Sequence, residues 1–210
     1  MIFVQEQPEP ADFSTKVRMP GQNFLTKIPH PTSAQYKKKR FWKECLADLY
    51  MVYNGICAYS AQWIPPHISK GSVDHYIPKH FAPELAYEWS NYRLCTERMN
   101  NNKDDFMDVM DPFRVQNGWF TINFTTFFIE PEDSLPDHLK AAVEDTITRL
   151  KLNEDDPLVQ DRANLIQMYS DNDVSFEFLE KRYPFIASEL DRQGLKEAIK
   201  TRLRKKPFGA

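Results

Sequence analysis

The chain has 210 residues, a formal net charge of −3 and a sequence pI near 6.0. Its 41% of hydrophobic and 27% of charged residues are typical of globular proteins and exclude a wholly disordered or fibrous chain. Because the net charge is negative, contact with a polyanion requires a local basic surface. Residues 37–40 are one candidate, with a solvated helix face as the alternative interpretation. The other candidate is the C-terminal tail, with Lys200, Arg202, Arg204, Lys205 and Lys206.

The cysteine content and the hydropathy predict a compartment. Three cysteines, Cys45, Cys57 and Cys95, are an odd number, which argues against a disulfide framework and indicates a reducing environment. No apolar run reaches the roughly 18 residues that a transmembrane helix needs, and the N-terminal residues lack the pattern of a signal peptide. We therefore expect a cytoplasmic protein without membrane contact.

The first half of the chain predicts an arm followed by a helix. Residues 1–35 contain five prolines and few periodic apolar positions, so we expect an extended arm over a folded body. From Phe41 onwards, apolar residues recur at intervals of three and four positions. This spacing predicts one face of a helix that ends near Asn54 and Gly55.

The remaining predicted elements alternate between strands and helices. Residues 72–77, stopped by Pro78, predict a short strand of a hairpin. Residues 93–110 are polar and free of glycine and proline, which predicts a helix. Residues 119–125 alternate apolar and polar side chains, as a half-buried strand does. A helix over residues 137–152 and two or three more up to about residue 205 complete a helical C-terminal third.

Four polar residues occur in a suggestive order. Asp74 and His75 stand on the predicted strand, Asn91 follows in a loop, and Asn100 lies in the next predicted helix with Lys103 one turn further on. This order and its intervals resemble the HNH (ββα-metal) endonuclease family over roughly residues 50–110. The resemblance implies an α+β fold with a ββα-metal core. We expect an extended arm over residues 1–35, the nuclease core over residues 36–130 and a helical extension packed on the core over residues 131–210.

The resemblance also implies a phosphodiesterase chemistry. Such hydrolysis needs a base to activate water and a cation to offset charge on the phosphate. His75 is the candidate base, since an imidazole titrates near neutral pH. Asp74 and Asn100 offer oxygen ligands, which suit one Mg²⁺ or Mn²⁺ ion. By resemblance, Asn91 orients the His75 ring through a hydrogen bond.

The expected site requires an irregularity in the strand that carries Asp74 and His75, and three basic residues are expected to bind the substrate. Adjacent strand residues point to opposite faces, so Asp74 and His75 share a site only if the strand ends, bulges or twists there. The expected substrate-binding residues are Lys103, Lys79 and Arg93, with a phosphate as the contact of Lys103.

The chain departs from those family members that hold a structural zinc ion in two Cys-x-x-Cys knuckles. The first knuckle position reads Cys57-Ala-Tyr-Ser60, and Thr96 and Met99 stand at the second. Tetrahedral zinc needs four ligands, so no structural zinc is expected. Cys57 and Cys95 are interpreted as small buried residues.

Residues 74–79, 87–93 and 152–162 are similar to a narrower group, the HNH nucleases of retron and Septu anti-phage systems. That similarity implies an ATPase partner protein in a defence system and nucleic acid as the substrate, with DNA favoured over RNA. Two alternatives remain open. One is a catalytically silent nucleic-acid-binding or interaction module on the same fold, and the other is an RNA-cleaving toxin.

Overall fold

Two small antiparallel sheets and a series of short helices make up the computed structural model, which describes residues 1–154 and 156–203. Strand β1 (Ser72–His75) pairs with β2 (Tyr92–Cys95), and β3 (Phe120–Ile122) pairs with β4 (Ile129–Pro131). The expected mixed α+β class is confirmed. None of the helices within the described residues has the length and apolar character that crossing a bilayer requires.

The N-terminal region is only partly extended. Residues 1–10 have no regular structure, but a π-helical turn at Ser14–Arg18 leads into α1 (Met19–Lys27), and α2 covers Ser33–Lys37. The prediction of an extended arm over residues 1–35 is therefore wrong from Ser14 onwards. Pro8 and Pro10 precede this region, Pro20 falls in the first turn of α1, and Pro29 and Pro31 lie between the two helices, where proline is compatible with helix formation.

The predicted helix before the site is confirmed. A 3₁₀ turn at Phe41–Cys45 continues as α3 (Leu46–Val52), whose buried face includes Leu49. α3 ends at Val52, and the turn after it contains Asn54 and Gly55, which adopt positive φ values of 53° and 65°. A left-handed pair at this position terminates the helix, as the Asn-Gly sequence indicated.

The second strand of the first sheet was not predicted. The predicted helix over residues 93–110 is wrong at both ends, because Arg93 lies in β2 opposite Asp74 and α4 covers only Glu97–Lys103. The Thr96 side chain accepts a hydrogen bond from the Met99 amide, which caps the start of α4. The order β1, long loop, β2, α4 results.

The C-terminal part is helical as predicted, but within the described residues four helices follow α5 where two or three were predicted, and strand β4 was not predicted. Strand β3 lies within the predicted strand over residues 119–125, and α5 (Asp137–Arg149) lies within the predicted helix. The helices that follow are α6 (Asp156–Ser170), α7 (Phe176–Arg182), α8 (Pro184–Arg192) and α9 (Ala198–Leu203). Of the basic tail, Lys200 lies in α9, whereas the Arg202 side chain and residues 204–206 lie outside the described part.

Aromatic packing joins the N-terminal helices to the loop between β1 and β2. A Cβ atom at Gly21 would lie only 2.1 Å from the Tyr87 ring, so α1 and Tyr87 are in intimate contact. The Tyr87 ring lies 5.8 Å from that of Trp42, which in turn meets the His75 ring edge-on at 4.8 Å. Helix α1 therefore supports the first sheet through these aromatic contacts, in addition to the support from α4.

Candidate active site

His75 is the last residue of β1 and has both ring nitrogens engaged. Its Nε2 atom lies 2.9 Å from the carbonyl oxygen of Ala86, and its Nδ1 atom lies 3.3 Å from Nζ of Lys79. A carbonyl oxygen can only accept, so Nε2 carries the hydrogen and Nδ1 keeps the lone pair. That lone pair accepts the hydrogen bond from the Lys79 ammonium group.

The imidazole is held in an apolar, largely buried environment. His75 is 5% exposed, and the rings of Trp42 and Tyr92 meet it edge-on. Burial, and then the nearby charge of Lys79, place the pKa of His75 well below its usual value of about 6.5. The ring is therefore neutral at physiological pH, the state that a general base requires.

Asp74 precedes His75 and is also buried, with 2% of its surface exposed. Its Oδ2 atom accepts a hydrogen bond of 2.5 Å from the Tyr59 hydroxyl, and its Oδ1 atom lies 3.7 Å from Nζ of Lys103. Burial raises the pKa of this carboxyl, while the Lys103 charge and the Tyr59 hydrogen bond act in the opposite direction. Tyr59 and Lys103 thus stabilise the carboxylate form.

Asn100 in α4 has its amide orientation fixed. The Nδ2 atom donates to Ser72 Oγ at 2.8 Å and to the carbonyl oxygen of Val73 at 3.4 Å. Within the described residues, the amide oxygen Oδ1 accepts no hydrogen bond, which leaves it available to another ligand. Both hydrogen bonds tie α4 to β1, just before Asp74.

A cleft of about 840 Å³, here called the central cleft, brings three segments together. β1 and the loop after it contribute Asp74, His75 and Lys79, and α4 contributes Asn100. Asp74 and His75 both reach the cleft because β1 ends at His75. A strand that ends there is one of the geometries that were expected to allow the two residues to share a site. Further lining residues come from the N-terminal region, from the first residue of α4 and from the chain just after it, namely Tyr36, Lys37, Arg40, Trp42, Lys43, Glu97, Asp104 and Asp105.

Asn91 does not touch the His75 ring but fixes the loop that does. Its amide donates to the carbonyl oxygens of Ile77 at 2.9 Å and Leu85 at 3.2 Å, and it accepts from the Ile77 amide at 2.8 Å. Leu85 is next to Ala86, whose carbonyl oxygen holds Nε2 of His75. The expected orienting contact is therefore indirect and passes through the backbone of this loop.

Two of the three expected substrate-binding residues are structural. Arg93 is 3% exposed, forms a bidentate ion pair with Asp111 at 2.8 Å and stacks on Phe113 at 3.5 Å. Lys103 is fully buried and donates to the His75 carbonyl oxygen at 3.2 Å. Neither side chain lines the central cleft, so neither has access to substrate in this conformation. Lys79 is the one of the three that does.

The oxygen ligands available in the cleft fit a hard divalent cation better than zinc. Within the described residues, no cluster of three or more histidine, cysteine, aspartate or glutamate side chains could hold a metal ion. Asp74 and Asn100, which both carry oxygen ligands, line the same cleft, whose volume leaves room for water and substrate phosphate as further ligands. Cys57 and Cys95 are buried free cysteines, as expected.

No protein-family model and no curated protein matches the chain. The function is therefore inferred from the residues and geometry described above.

Sequence reasoning missed two groups that hold the site. The Tyr59 hydroxyl binds Asp74, and the signal was present but unused, because the Cys57 to Ser60 motif was considered only as a zinc knuckle. The Ala86 carbonyl oxygen fixes the His75 tautomer. No side-chain pattern could have revealed this second contact, since any residue at that position offers the same backbone oxygen.

Proposed function

We propose that this protein is a metal-dependent endonuclease of the HNH (ββα-metal) type that hydrolyses phosphodiester bonds of nucleic acid, with DNA favoured over RNA. The observation that carries the proposal is the neutral His75 ring. One of its nitrogens is committed to Ala86, and the other faces a cleft shared with the oxygen atoms of Asp74 and Asn100. A base beside two hard-metal ligands is the arrangement that metal-assisted hydrolysis needs.

The order of elements supports the ββα-metal core. Strands β1 and β2 are antiparallel, a long loop joins them, and α4 follows β2 after Thr96. Asp74 and His75 come from the end of β1, whereas Asn100 comes from the middle of α4. The three side chains therefore meet where the helix packs against the hairpin.

His75 acts as the general base through Nδ1. In the free protein this atom accepts the hydrogen bond from Lys79, so Lys79 has to move before a water molecule can give up its proton there. A substrate phosphate draws Lys79 away from His75, because an ammonium group binds a phosphate more strongly than it binds a neutral imidazole. Lys79 then contacts the phosphate, and Nδ1 is free to take the proton.

Asp74 and Asn100 are the residues that would hold Mg²⁺ or Mn²⁺. When bound, such an ion offsets the charge that develops on the phosphate and on the leaving oxygen. Lys103 and Tyr59 favour the charged form of Asp74 against the effect of burial. Ser72 accepts from the Asn100 nitrogen, which leaves the Asn100 oxygen as the free atom of that amide. Asn91 is a positioning residue, since it acts on His75 through the backbone near Ala86.

The proposal is tested by incubating the purified protein with plasmid, single-stranded DNA and RNA in Mg²⁺, Mn²⁺ or EDTA. We expect cleavage that EDTA abolishes and that His75→Ala reduces by about 10²- to 10⁴-fold, the usual contribution of a general base. Asn100→Ala should also lose activity. His138→Ala on the exposed side of α5 is the matched control and should leave it unchanged. Cleavage that survives His75→Ala would contradict the mechanism.

The Lys79 contact to the base favours a second candidate, a module that binds nucleic acid and is silent by itself. Binding without cleavage under all conditions would support it. Since the proposed defence system includes an ATPase partner, the assay should be repeated with that partner, whose addition would separate a gated nuclease from a silent module. Cleavage of RNA alone would indicate a toxin instead.

A further inference from the structure

Three cations line the outer part of the central cleft, and we refer to Lys37, Arg40 and Lys43 as the basic segment. All three are exposed. None of them forms an ion pair with any residue that the structure describes, whereas other surface cations such as Arg149 have an acidic partner. No residue in the described part of the chain therefore neutralises the segment through an ion pair.

Within the described residues, the acidic side chains of the cleft form no ion pair with the basic segment. Glu97, Asp104 and Asp105 lie at the α4 end of the cleft, and Asp105 pairs with His80 at 3.4 Å. The cleft consequently has a basic end formed by the N-terminal segment and an acidic end formed around α4. A negatively charged ligand is drawn to the basic end. It can approach the proposed metal-binding oxygens near the acidic end only when a cation is present.

The basic segment is continuous with His75. Trp42 stands between Arg40 and Lys43 in the chain, and its ring meets that of His75 at 4.8 Å. Lys79 Nζ lies 5.2 Å from the Trp42 ring. Burial lowers the pKa of Lys79; the Asp74 and Asp105 carboxylates act against burial, whereas the Lys103 and Arg40 charges act with it. The Trp42 ring, which contacts both His75 and Lys79, thus connects the basic segment to the base.

The backbone that carries these cations is held in place. Thr32 and Gln35 form a reciprocal capping box at the start of α2, and Lys37 is the last residue of that helix. The Tyr36 ring is buried against Trp42 and the Tyr36 hydroxyl donates to the Lys79 carbonyl oxygen at 3.3 Å. The backbone of the basic segment therefore needs little ordering on binding, and the cost is mainly that of ordering the three side chains.

We propose that the basic segment binds the phosphodiester backbone of the nucleic acid, beside the phosphate that is cleaved. This inference rests on the proposed function for the place of cleavage, but the binding itself can be measured without cleavage. Lysine and arginine both bind phosphate, and arginine does so with two parallel hydrogen bonds. An acidic protein surface is the competing ligand, and the experiment below distinguishes it.

The experiment measures binding of a fluorescent 20-nucleotide DNA, as duplex and as single strand, to the full chain in EDTA over a range of salt concentrations. The test variant is Lys37→Glu/Lys43→Glu. The control is Arg114→Glu/Lys140→Glu, which changes the net charge equally at positions outside the cleft. Thermal unfolding of each variant checks that it is folded, and the neutral pair Lys37→Gln/Lys43→Gln repeats the test without new negative charge.

We expect the cleft variant to bind at least tenfold more weakly than the control variant. The slope of log affinity against log salt should fall in magnitude by about 1.8 for the duplex and about 1.4 for the single strand, because two phosphate contacts are lost. Equal weakening in both variants would mean that only the overall charge matters and would overturn the inference. Unchanged affinity in the cleft variant would overturn it as well, and would leave an acidic protein surface as the ligand.

The outcome also separates this inference from the proposed function. If the cleft variant loses affinity but no preparation shows cleavage that depends on His75, the basic segment binds nucleic acid and the nuclease proposal fails. If His75-dependent cleavage is found and the cleft variant binds and cleaves as the parent does, the nuclease proposal stands and the inference about the basic segment fails.

Discussion

The Nδ1 atom of His75 lies 3.3 Å from the ammonium nitrogen of Lys79, while Nε2 of the same ring lies 2.9 Å from the Ala86 carbonyl oxygen. The two contacts assign opposite roles to the two nitrogens. One is a donor to the backbone, and the other is an acceptor on the side of the cleft. The tautomer of the base is thus set by the loop between β1 and β2.

The first prediction concerns this tautomer. Because burial and Lys79 lower the pKa of His75 well below 6.5, its ring should be neutral at pH 6 and should carry its hydrogen on Nε2. Long-range ¹H–¹⁵N NMR spectra of the free protein measure both properties, with His75→Gln to assign the signal. An Nδ1–H tautomer, or an imidazolium at pH 6, would contradict the geometry described here.

The second prediction compares two asparagines with the same hydrogen-bonding pattern. Asn91 bridges the amide and carbonyl of Ile77, and Asn153 bridges those of Ile129. Asn91→Ala and Asn153→Ala should each lower the free energy of unfolding by about 2–4 kcal/mol, since buried backbone groups lose their partners. Urea denaturation measures this loss.

Only Asn91→Ala should also impair the site. Its amide holds Leu85, next to the carbonyl oxygen that fixes His75, whereas Asn153 lies in the C-terminal part. At a temperature where both variants are folded, cleavage should fall for Asn91→Ala and persist for Asn153→Ala. Equal activity of the two variants would show that Asn91 has no positioning role.

The third prediction concerns acid stability and Glu189. Burial alone would raise the pKa of this carboxyl, but hydrogen bonds from Arg192 and Gln193 outweigh burial and hold it below its usual value. A carboxyl with a lower pKa in the folded state stabilises the protein above its unfolded pKa, about 4.3, and loses that contribution as the pH falls. Stability should therefore decline below about pH 4.5.

Glu189→Gln removes this titration, so urea midpoints measured from pH 7 to pH 3 should decline less steeply in the variant than in the parent. The variant is also expected to be less stable at pH 7, because the Arg192 charge loses its buried partner. Glu177→Gln, which alters an exposed pair with Lys181, is the control and should leave the pH dependence nearly unchanged. A parallel decline in Glu189→Gln would refute the assignment.

The fourth prediction concerns the buried pair of Arg93 and Asp111. Lysine cannot reproduce the two parallel hydrogen bonds or the stacking on Phe113, so Arg93→Lys should destabilise the protein by about 3 kcal/mol. The affinity of the folded protein for DNA should stay as it was. A variant with parental melting temperature and weaker DNA binding would instead restore Arg93 as a substrate contact.

Local patterns predicted those elements whose signal is contained in a few neighbouring residues. The helix ending at Asn54 and Gly55, the strand stopped by Pro78 and the apolar stripe of α5 are of this kind. Strand β2 was missed because all four of its residues are buried, so no alternation of apolar and polar side chains marks it. A polar side chain such as Arg93 then looks like part of an exposed helix.

The sequence predicted which residues form the candidate site, but not how the charged groups around it are placed. The order of Asp74, His75 and Asn100 indicated which residues meet, and the structure brings them to one cleft. Lys103 was expected to contact substrate, because it lies one helical turn after Asn100 and would line the same face of the helix. Its burial beside Asp74 depends on packing between α4 and β1, which the sequence near Lys103 does not contain.

Gly21 touches Tyr87 so closely that even a methyl group there would displace the ring. Tyr87 packs on Trp42, and Trp42 packs on His75, so the position of the imidazole depends on a helix more than fifty residues away in the chain. The hairpin and α4 are consequently not sufficient by themselves to position the His75 ring. A fragment that began at residue 36 would keep every polar side chain of the site and lose the support behind its ring, and grafting the hairpin and α4 onto another scaffold would meet the same difficulty.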